Sequence, residues 1–244
     1  MNTQKIAVVT GGNRGIGYET ARQLARQGVE VLLGARDIRA ADSAAAKLRA
    51  EGLDTVSALQ LDVTDAASVA AAAQTIERRY GRLDILINNA GIMRDHGGKL
   101  PSEQPMDVWY ETFETNLFGV ISVTRALLPL LKKSPAGRIV NLSSVLGSLT
   151  LHSDPKSRYY NFKLPAYDVS KTALNAWTVH LAWELRDTAI KVNAAHPGYV
   201  KTDMNKGAGD LDLDDGARTS VELALLDSDG PSGGYVHRGE TLPW

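Results

Sequence analysis

Thr10-Gly11-Gly12-Asn13-Arg14-Gly15-Ile16-Gly17 closes the apolar run Ile6–Thr10 and opens a stretch of helical periodicity. Gly11, Gly15 and Gly17 therefore belong to a strand-to-helix turn. Residues without a Cβ let the backbone approach a pyrophosphate there, and the N–H groups of the helix start face it. The spacing is Gly-x-x-x-Gly-x-Gly, not the commoner Gly-x-Gly-x-x-Gly, and a purely structural tight turn is the alternative reading. Outward from this turn, short apolar runs alternate with helical patterns along the whole chain. Strands are predicted at Ile6–Thr10, Val29–Gly34, Thr55–Leu61, Leu83–Asn88, Arg138–Leu142, Lys191–His196 and about Gly234–Val236. Between them, Asp65–Tyr80 puts Val69, Ala72, Ala73, Ile76 and Tyr80 on one helical face. The alternation predicts βαβ units, and hence a single-domain α/β fold. It is a Rossmann-like, doubly wound parallel sheet of about seven strands with helices on both faces.

Composition narrows the function. Lys and Arg number 27 against 28 Asp and Glu, a net charge of −1 with the signs interspersed. No basic patch recommends nucleic acid and no polybasic segment recommends a membrane surface. The chain has no cysteine, which removes disulfides, thiolate catalysis and cysteine-ligated zinc and is compatible with a reducing cytosol. His96, His152, His180, His196 and His237 show no ligand-like pairing, so no metal is expected. Met1-Asn2-Thr3-Gln4-Lys5 leads straight into an apolar run too short for a signal peptide. No run of about eighteen apolar residues is present to span a bilayer. A cytoplasmic protein acting on a small molecule is the expectation.

Tyr167 and Lys171, in Tyr167-Asp168-Val169-Ser170-Lys171, are one helical turn apart and project from the same face. An ammonium beside a phenol favours phenolate and makes the phenol a usable general acid near neutral pH. With the glycine turn, the pair points to hydride chemistry on a nucleotide cofactor. The residue that discriminates the two nicotinamide dinucleotides lies about 20 residues past the turn, at the end of the second strand. That region reads Gly34-Ala35-Arg36-Asp37. Asp37 would serve a ribose 2′-hydroxyl, whereas Arg36 would serve a 2′-phosphate. Arg14 tips the reading to NADPH/NADP, because two guanidiniums converging on one spot suit a phosphate dianion. NADH/NAD, with Arg36 paired to Asp37 or solvated, is the alternative.

These motifs resemble the short-chain dehydrogenase/reductase family over nearly the whole chain. The resemblance rests on the glycine turn, Asp62-Val63, Asn88-Asn89-Ala90-Gly91, Asn116, Ser143-Ser144, Tyr167 with Lys171, and Pro197-Gly198 followed by Val200 and Thr202. It implies that Gly11, Asn13, Arg14, Gly15, Ile16, Gly17 and Arg36 bind the cofactor. Asp62 and Val63 would frame its adenine, Asn89, Ala90 and Gly91 its adenosine ribose, and Val200 and Thr202 the carboxamide. It further implies a catalytic tetrad. Ser144 would polarise a substrate carbonyl, Tyr167 would donate the proton, Lys171 would bond the nicotinamide ribose and lower the tyrosine pKa, and Asn116 would hold a water. Ser143 is expected to be structural. The likeness is greatest to monomeric NADPH-dependent carbonyl reductases, which implies reduction of an aldehyde or ketone and a monomer, with a dimer through another face as the alternative. An NAD-dependent alcohol dehydrogenase and a non-catalytic nucleotide sensor are the rival functions. Residues 1–244 are read as one domain, with a cofactor half to about 140 and a catalytic and substrate half from about 141.

Three irregular stretches, Met93–Pro105, Gly147–Pro165 and Asp203–Asp215, are expected to wall the site. The last, poor in apolar residues, is expected to act as a lid. The stretch Leu149–Pro165 is longer than the usual family gap and shorter than the insertion of typical animal carbonyl reductases. It is read either as a wall of the substrate pocket or as a cap that packs Tyr159, Tyr160 and Phe162 onto the domain's own surface. Met106–Leu131 is predicted to be one helix whose Trp109, Tyr110 and Phe113 pack inward, and His196 to be satisfied within the fold.

Overall fold

The computed structural model describes residues 4–244; Met1, Asn2 and Thr3, at the start of the segment weighed as a signal peptide, lie outside them. An eight-stranded sheet runs β3-β2-β1-β4-β5-β6-β7-β8. Its strands are β1 (Ile6–Thr10), β2 (Glu30–Ala35), β3 (Val56–Gln60), β4 (Ile85–Asn88), β5 (Arg138–Leu142), β6 (Lys191–Ala195), β7 (Tyr235–His237) and β8 (Glu240–Thr241). The first seven are parallel. The eighth, which sequence periodicity did not predict, folds back antiparallel on β7. Its two residues are exposed and carry no apolar signal.

Among the described residues, eight α-helices accompany the sheet: α1 (Gly15–Arg26), α2 (Ile38–Ala50), α3 (Ala66–Tyr80), α4 (Met106–Phe113), α5 (Gly119–Leu131), α6 (Leu149–Ser153), α7 (Pro165–Glu184) and α8 (Leu213–Ala224). All five residues of β1 are buried, as a parallel strand covered on both faces requires. Successive side chains divide between two cores. Ile6 and Val8 enter one with Leu127, Leu181 and Val192. Ala7 and Val9 enter the other with Leu24, Leu48 and Leu223. Each fully buried Val, Leu or Ile contributes about 1.5–3 kcal/mol, so the alternation fixes the strand's register against both helix layers.

The predicted helix Met106–Leu131 is interrupted by a π turn at Glu114–Phe118. At its far end Gly119 lies so close to the third strand's loop that a Cβ there would stand 2.9 Å from Val63 Cγ2. Tyr110, expected to pack inward, is 69% exposed; Trp109 and Phe113 are half-buried with ring centroids 6.4 Å apart. The strand order reverses between β1 and β4, and this crevice is closed at its base by Thr10. Its Oγ1 accepts from the Asn89 and Ala90 N–H groups, both at 2.9 Å. Among the described residues, no helix is long and apolar enough to cross a membrane.

Candidate active site

The carboxyl ends of β1, β4, β5 and β6 converge on one crevice, the position where doubly wound sheets bind ligands. At the end of β1 the chain turns through Gly11 and Gly15, whose φ values of +62° and +57° favour glycine. Asn89 Nδ2 reaches into this turn and donates to Thr10 O at 2.8 Å and Gly11 O at 3.2 Å. A Cβ on Gly17 would lie 2.4 Å from that same Nδ2 and 2.5 Å from Gly11 O. Asn89 thus shapes the turn from β4. Thr10 and Asn89 form a strap between two strands, with no local signature because its halves are 79 residues apart.

Above the turn the space is open. A Cβ on Gly15 would meet nothing within 4 Å, and a cavity of about 400 Å³ is lined there by Gly15, Lys201, Thr202, Asp203, Lys206 and Leu213. Arg14 is the N-cap of α1, and no side chain caps the helix. Asn13 and Ile16 flank the turn partly exposed, Ile16 packed against the core. These features fit a nucleotide's diphosphate: unfilled space, a basic rim and a helix start with N–H groups to spare.

Arg14 and Arg36 do not act alike. Arg14 Nη1 lies 3.4 Å from Asp203 Oδ2 across the cavity mouth, a solvent-exposed pair worth at most about 1 kcal/mol. Arg36 is exposed, with no ion-pair partner among the described residues. Asp37 is committed to capping α2: its Oδ1 accepts from Arg39 N at 3.0 Å and stands 3.6 Å from Arg39 Nε. Asp62 Oδ1 accepts from the Thr64 N–H at 3.0 Å and hydroxyl at 2.7 Å. Buried Val63 packs on Gly119, and Ala90 is partly buried against the core. Val200 pairs with Leu211 in an isolated bridge, and Thr202 is braced by Asn205. The stretch Asp203–Asp215 is therefore not loose throughout. It holds a short turn at Asp203–Asn205, the anchored Leu211 and the start of α8.

Ser144, Tyr167 and Lys171 come together at the end of β5. Ser144 caps the turn Val145–Gly147, its Oγ accepting from Leu146 N at 3.2 Å. Its backbone carbonyl receives a hydrogen bond from the buried Tyr235 hydroxyl. Ser143 is turned away, donating to Asn175 Oδ1 at 2.6 Å. Tyr167 is pushed up to about 12 by burial, which outweighs a lowering hydrogen bond from Ser144. The lowering expected of Lys171 is not what governs this phenol. Lys171 Nζ lies 5.6 Å from the Tyr167 ring centroid and donates to Leu142 O at 2.7 Å. Burial draws the lysine itself down to about 8. The pair thus presents a phenol that keeps its proton beside a readily deprotonated ammonium.

Asn116, wholly buried in the π turn, has its amide engaged. Oδ1 accepts from Ile92 N at 2.8 Å, and Nδ2 donates to Ile92 O at 2.9 Å and Ser170 Oγ at 3.0 Å. A Cβ on Gly91 would lie 3.4 Å from Asn116 Oδ1 and 3.6 Å from Lys171 Nζ, so Gly91 keeps these two groups close. His196 is a buried acceptor from Val145 N at 3.1 Å, pushed down to about 3 mainly by burial. Sequence reasoning missed Asp95, which accepts from Ala166 N at 2.8 Å and Tyr167 N at 3.0 Å. No local motif marks it, for it sits on an irregular loop 71 residues before Ala166, whose N–H it accepts.

Comparison with known proteins gives the same picture. The short chain dehydrogenase family matches residues 5–211. The chain is 34% identical to (+)-neomenthol dehydrogenase of Capsicum annuum, over 97% of this chain and 96% of that one. It is 33% identical to carbonyl reductase [NADPH] 1 of Mus musculus, over 100% and 99% of the two chains. Among solved structures, NADPH-bound carbonyl reductase from chicken fatty liver superposes with a TM-score of 0.85 at 29% identity, over 99% of each chain.

Proposed function

Since the chain belongs to the short-chain dehydrogenase family, we propose that it is an NADPH-dependent reductase of aldehydes or ketones, running in reverse as an alcohol oxidation. The observation that carries this reading is the meeting of Ser144, Tyr167 and Lys171 beside an uncapped α1 and an open glycine turn. The relatives named for carbonyl reduction with NADPH support it. When bound, the nicotinamide supplies the hydride. The chain's own residues attend to the oxygen. The Ser144 hydroxyl donates a hydrogen bond to the substrate carbonyl. Tyr167, protonated at neutral pH, gives its proton to that oxygen as negative charge develops on it. Lys171 and Asn116 hold the route by which Tyr167 is reprotonated. Gly11, Gly15 and Gly17 admit the diphosphate at the start of α1, with Asn13, Arg14 and Ile16 on its rim. Asp62 and Val63 take the adenine side, Asn89, Ala90 and Gly91 the ribose, and Val200 and Thr202 the carboxamide.

Preference for NADPH rests on the division of labour at the end of β2. Asp37 is occupied with capping α2, while Arg36 has no ion-pair partner among the described residues. The test is a screen of aldehydes, ketones and secondary alcohols with each cofactor, run beside Tyr167→Phe. Wild-type turnover with NADPH is expected, together with a loss of about 10² to 10⁴ in rate and retained NADPH binding in the variant. A variant that keeps most of its activity shows that Tyr167 is not the acid.

A further inference from the structure

The inserted stretch contains a hydrogen-bonded tie that the reaction as described does not use. Lys163 closes the segment on itself. Its Nζ lies 2.8 Å from His152 Nδ1, 3.2 Å from His152 O and 3.4 Å from Tyr159 O, and 5.7 Å from the Tyr160 ring centroid. An ammonium has only donors, so His152 Nδ1 accepts and the ring proton sits on Nε2. That N–H donates to Leu146 O at 2.9 Å, inside the turn that Ser144 caps. Asp168, the neighbour of Tyr167, has its Oδ2 3.5 Å from the same Nε2 and accepts from Leu164 N at 2.9 Å. Burial pushes His152 below its ordinary value and Asp168 up to about 7. The imidazole is thus the neutral form near neutral pH, while Asp168 exchanges its proton in that same range. From its other side the turn is held by α7, with Thr172 Oγ1 donating to Gly147 O at 3.0 Å. Meanwhile Tyr160 and Phe162 remain outside, Phe162 51% exposed; packing of these rings onto the domain is not what fastens the segment.

We propose that His152 is a positioning residue for the reaction, tying the inserted segment to the Val145–Gly147 turn so that the Ser144 hydroxyl stays aligned with Tyr167. This rests on the functional reading above. Without the imidazole, the turn keeps its α7 contacts and loses its only side-chain tie to the insertion among those described.

The experiment compares wild type, His152→Ala, His152→Gln and Lys163→Met as full chains. It measures kcat and KM with a reactive aldehyde at saturating NADPH, NADPH affinity by fluorescence, and amide exchange over residues 145–152. His152→Ala is expected to lower kcat about threefold to tenfold, the rate equivalent of one hydrogen bond's net worth. KM and NADPH affinity stay put, and exchange at Leu146–Ser148 speeds up. His152→Gln, whose amide N–H still reaches a carbonyl, restores both kcat and protection. Lys163→Met, which leaves the Leu146 bond in place, gives a smaller change in the same direction and stands in if the alanine variant does not fold. Unchanged kcat, a rise in KM alone, or a loss that glutamine does not rescue overturns the proposal. If wild type reduces no carbonyl with either cofactor, the functional reading fails by itself. The exchange data then still decide the tie, and unaltered exchange in the alanine variant refutes it.

Discussion

Two helix starts face the same crevice and are finished in opposite ways. At α1, Arg14 is in an extended conformation, no side chain accepts from the first turn, and no acid lies within it. At α7, Asp95 takes the N–H groups of Ala166 and Tyr167, Asp168 takes that of Leu164, and Pro165 needs no partner. A helix start carries about half a positive charge and several N–H groups without acceptors. The chain answers that demand with its own carboxylates at α7 and leaves it unanswered at α1. The difference teaches what each end is for. The uncapped start suits an anionic ligand that must come and go, whereas the sealed one holds the proposed proton donor, whose placement has to be constant. α2 and α3 are capped in the ordinary manner by Asp37 and Asp65.

Among changes at the two helix starts, the largest effect should come from reversing charge near the open end. Arg36→Asp removes the guanidinium offered to a 2′-phosphate and supplies an acceptor for a 2′-hydroxyl. At roughly 1.5–3 kcal/mol for a charge-assisted bond, the ratio of NADPH to NADH efficiency is expected to fall about a hundredfold. Arg14→Ala should do less, because its guanidinium is already shared with Asp203. An unchanged ratio in Arg36→Asp would make Asp37 the discriminating residue despite its work as a cap. Steady-state kinetics with both cofactors decides.

Next in size is Gly17→Ala. The added carbon would lie 2.4 Å from Asn89 Nδ2 and 2.5 Å from Gly11 O, so the strap from β4 must shift. Overpacking of this kind typically costs about 1–3 kcal/mol, felt in stability and in ligand affinity together, and NADPH binding is expected to weaken about tenfold. Calorimetric titration beside a thermal melt separates the two. A variant with lowered melting temperature and intact affinity would mean that the open end does not depend on the strap, and the contrast with α7 would lose half its basis.

How far these ends could be read from sequence differs in the same way. The α1 turn was legible because a whole motif lies within eight consecutive residues, and β1 because four consecutive apolar residues satisfy two cores at once. Strand β8 was invisible: Glu240 and Thr241 are held by β7's edge and not by any hydrophobic pattern. The π turn at Glu114–Phe118 escaped as well. One extra residue in a helix leaves the apolar spacing on either side intact, although it turns Asn116 fully inward. Met106–Leu131 therefore read as one helix. Tyr167 and Lys171 could be paired by their spacing, whereas Ser144 was singled out by the family resemblance. The state of the phenol could not be read, since the sequence shows the ammonium one turn away and not the burial that raises the phenol. Asp95, which holds the phenol's helix in place, is a tertiary contact with no local signature.

The sealed end gives the smallest expected effect and the finest test. Asp95→Ala leaves the first N–H groups of α7 without their acceptor, a loss worth about 0.5–2 kcal/mol for a helix cap. Since one of those groups belongs to Tyr167 itself, part of the loss should appear in the placement of the phenol, and a fall in kcat of a few-fold is expected with NADPH affinity unchanged. Asp95→Asn, which keeps one acceptor oxygen, should lie between. A second consequence has a definite sign. The Asp95 carboxylate is among the causes that hold Asp168 above its ordinary value; without that charge the Asp168 carboxyl ionises at lower pH. Because a raised carboxyl is charged only above its folded pKa, which is about 7 here, the variant carries the Asp168 charge further into the acid range than wild type. Any step in the pH–rate profile that reports Asp168 should therefore move to lower pH in both variants. A kcat loss without that movement would leave Asp95 as a helix cap only. Movement without kcat loss would mean that Tyr167 keeps its place unaided, and the two helix starts would then differ in chemistry but not in purpose.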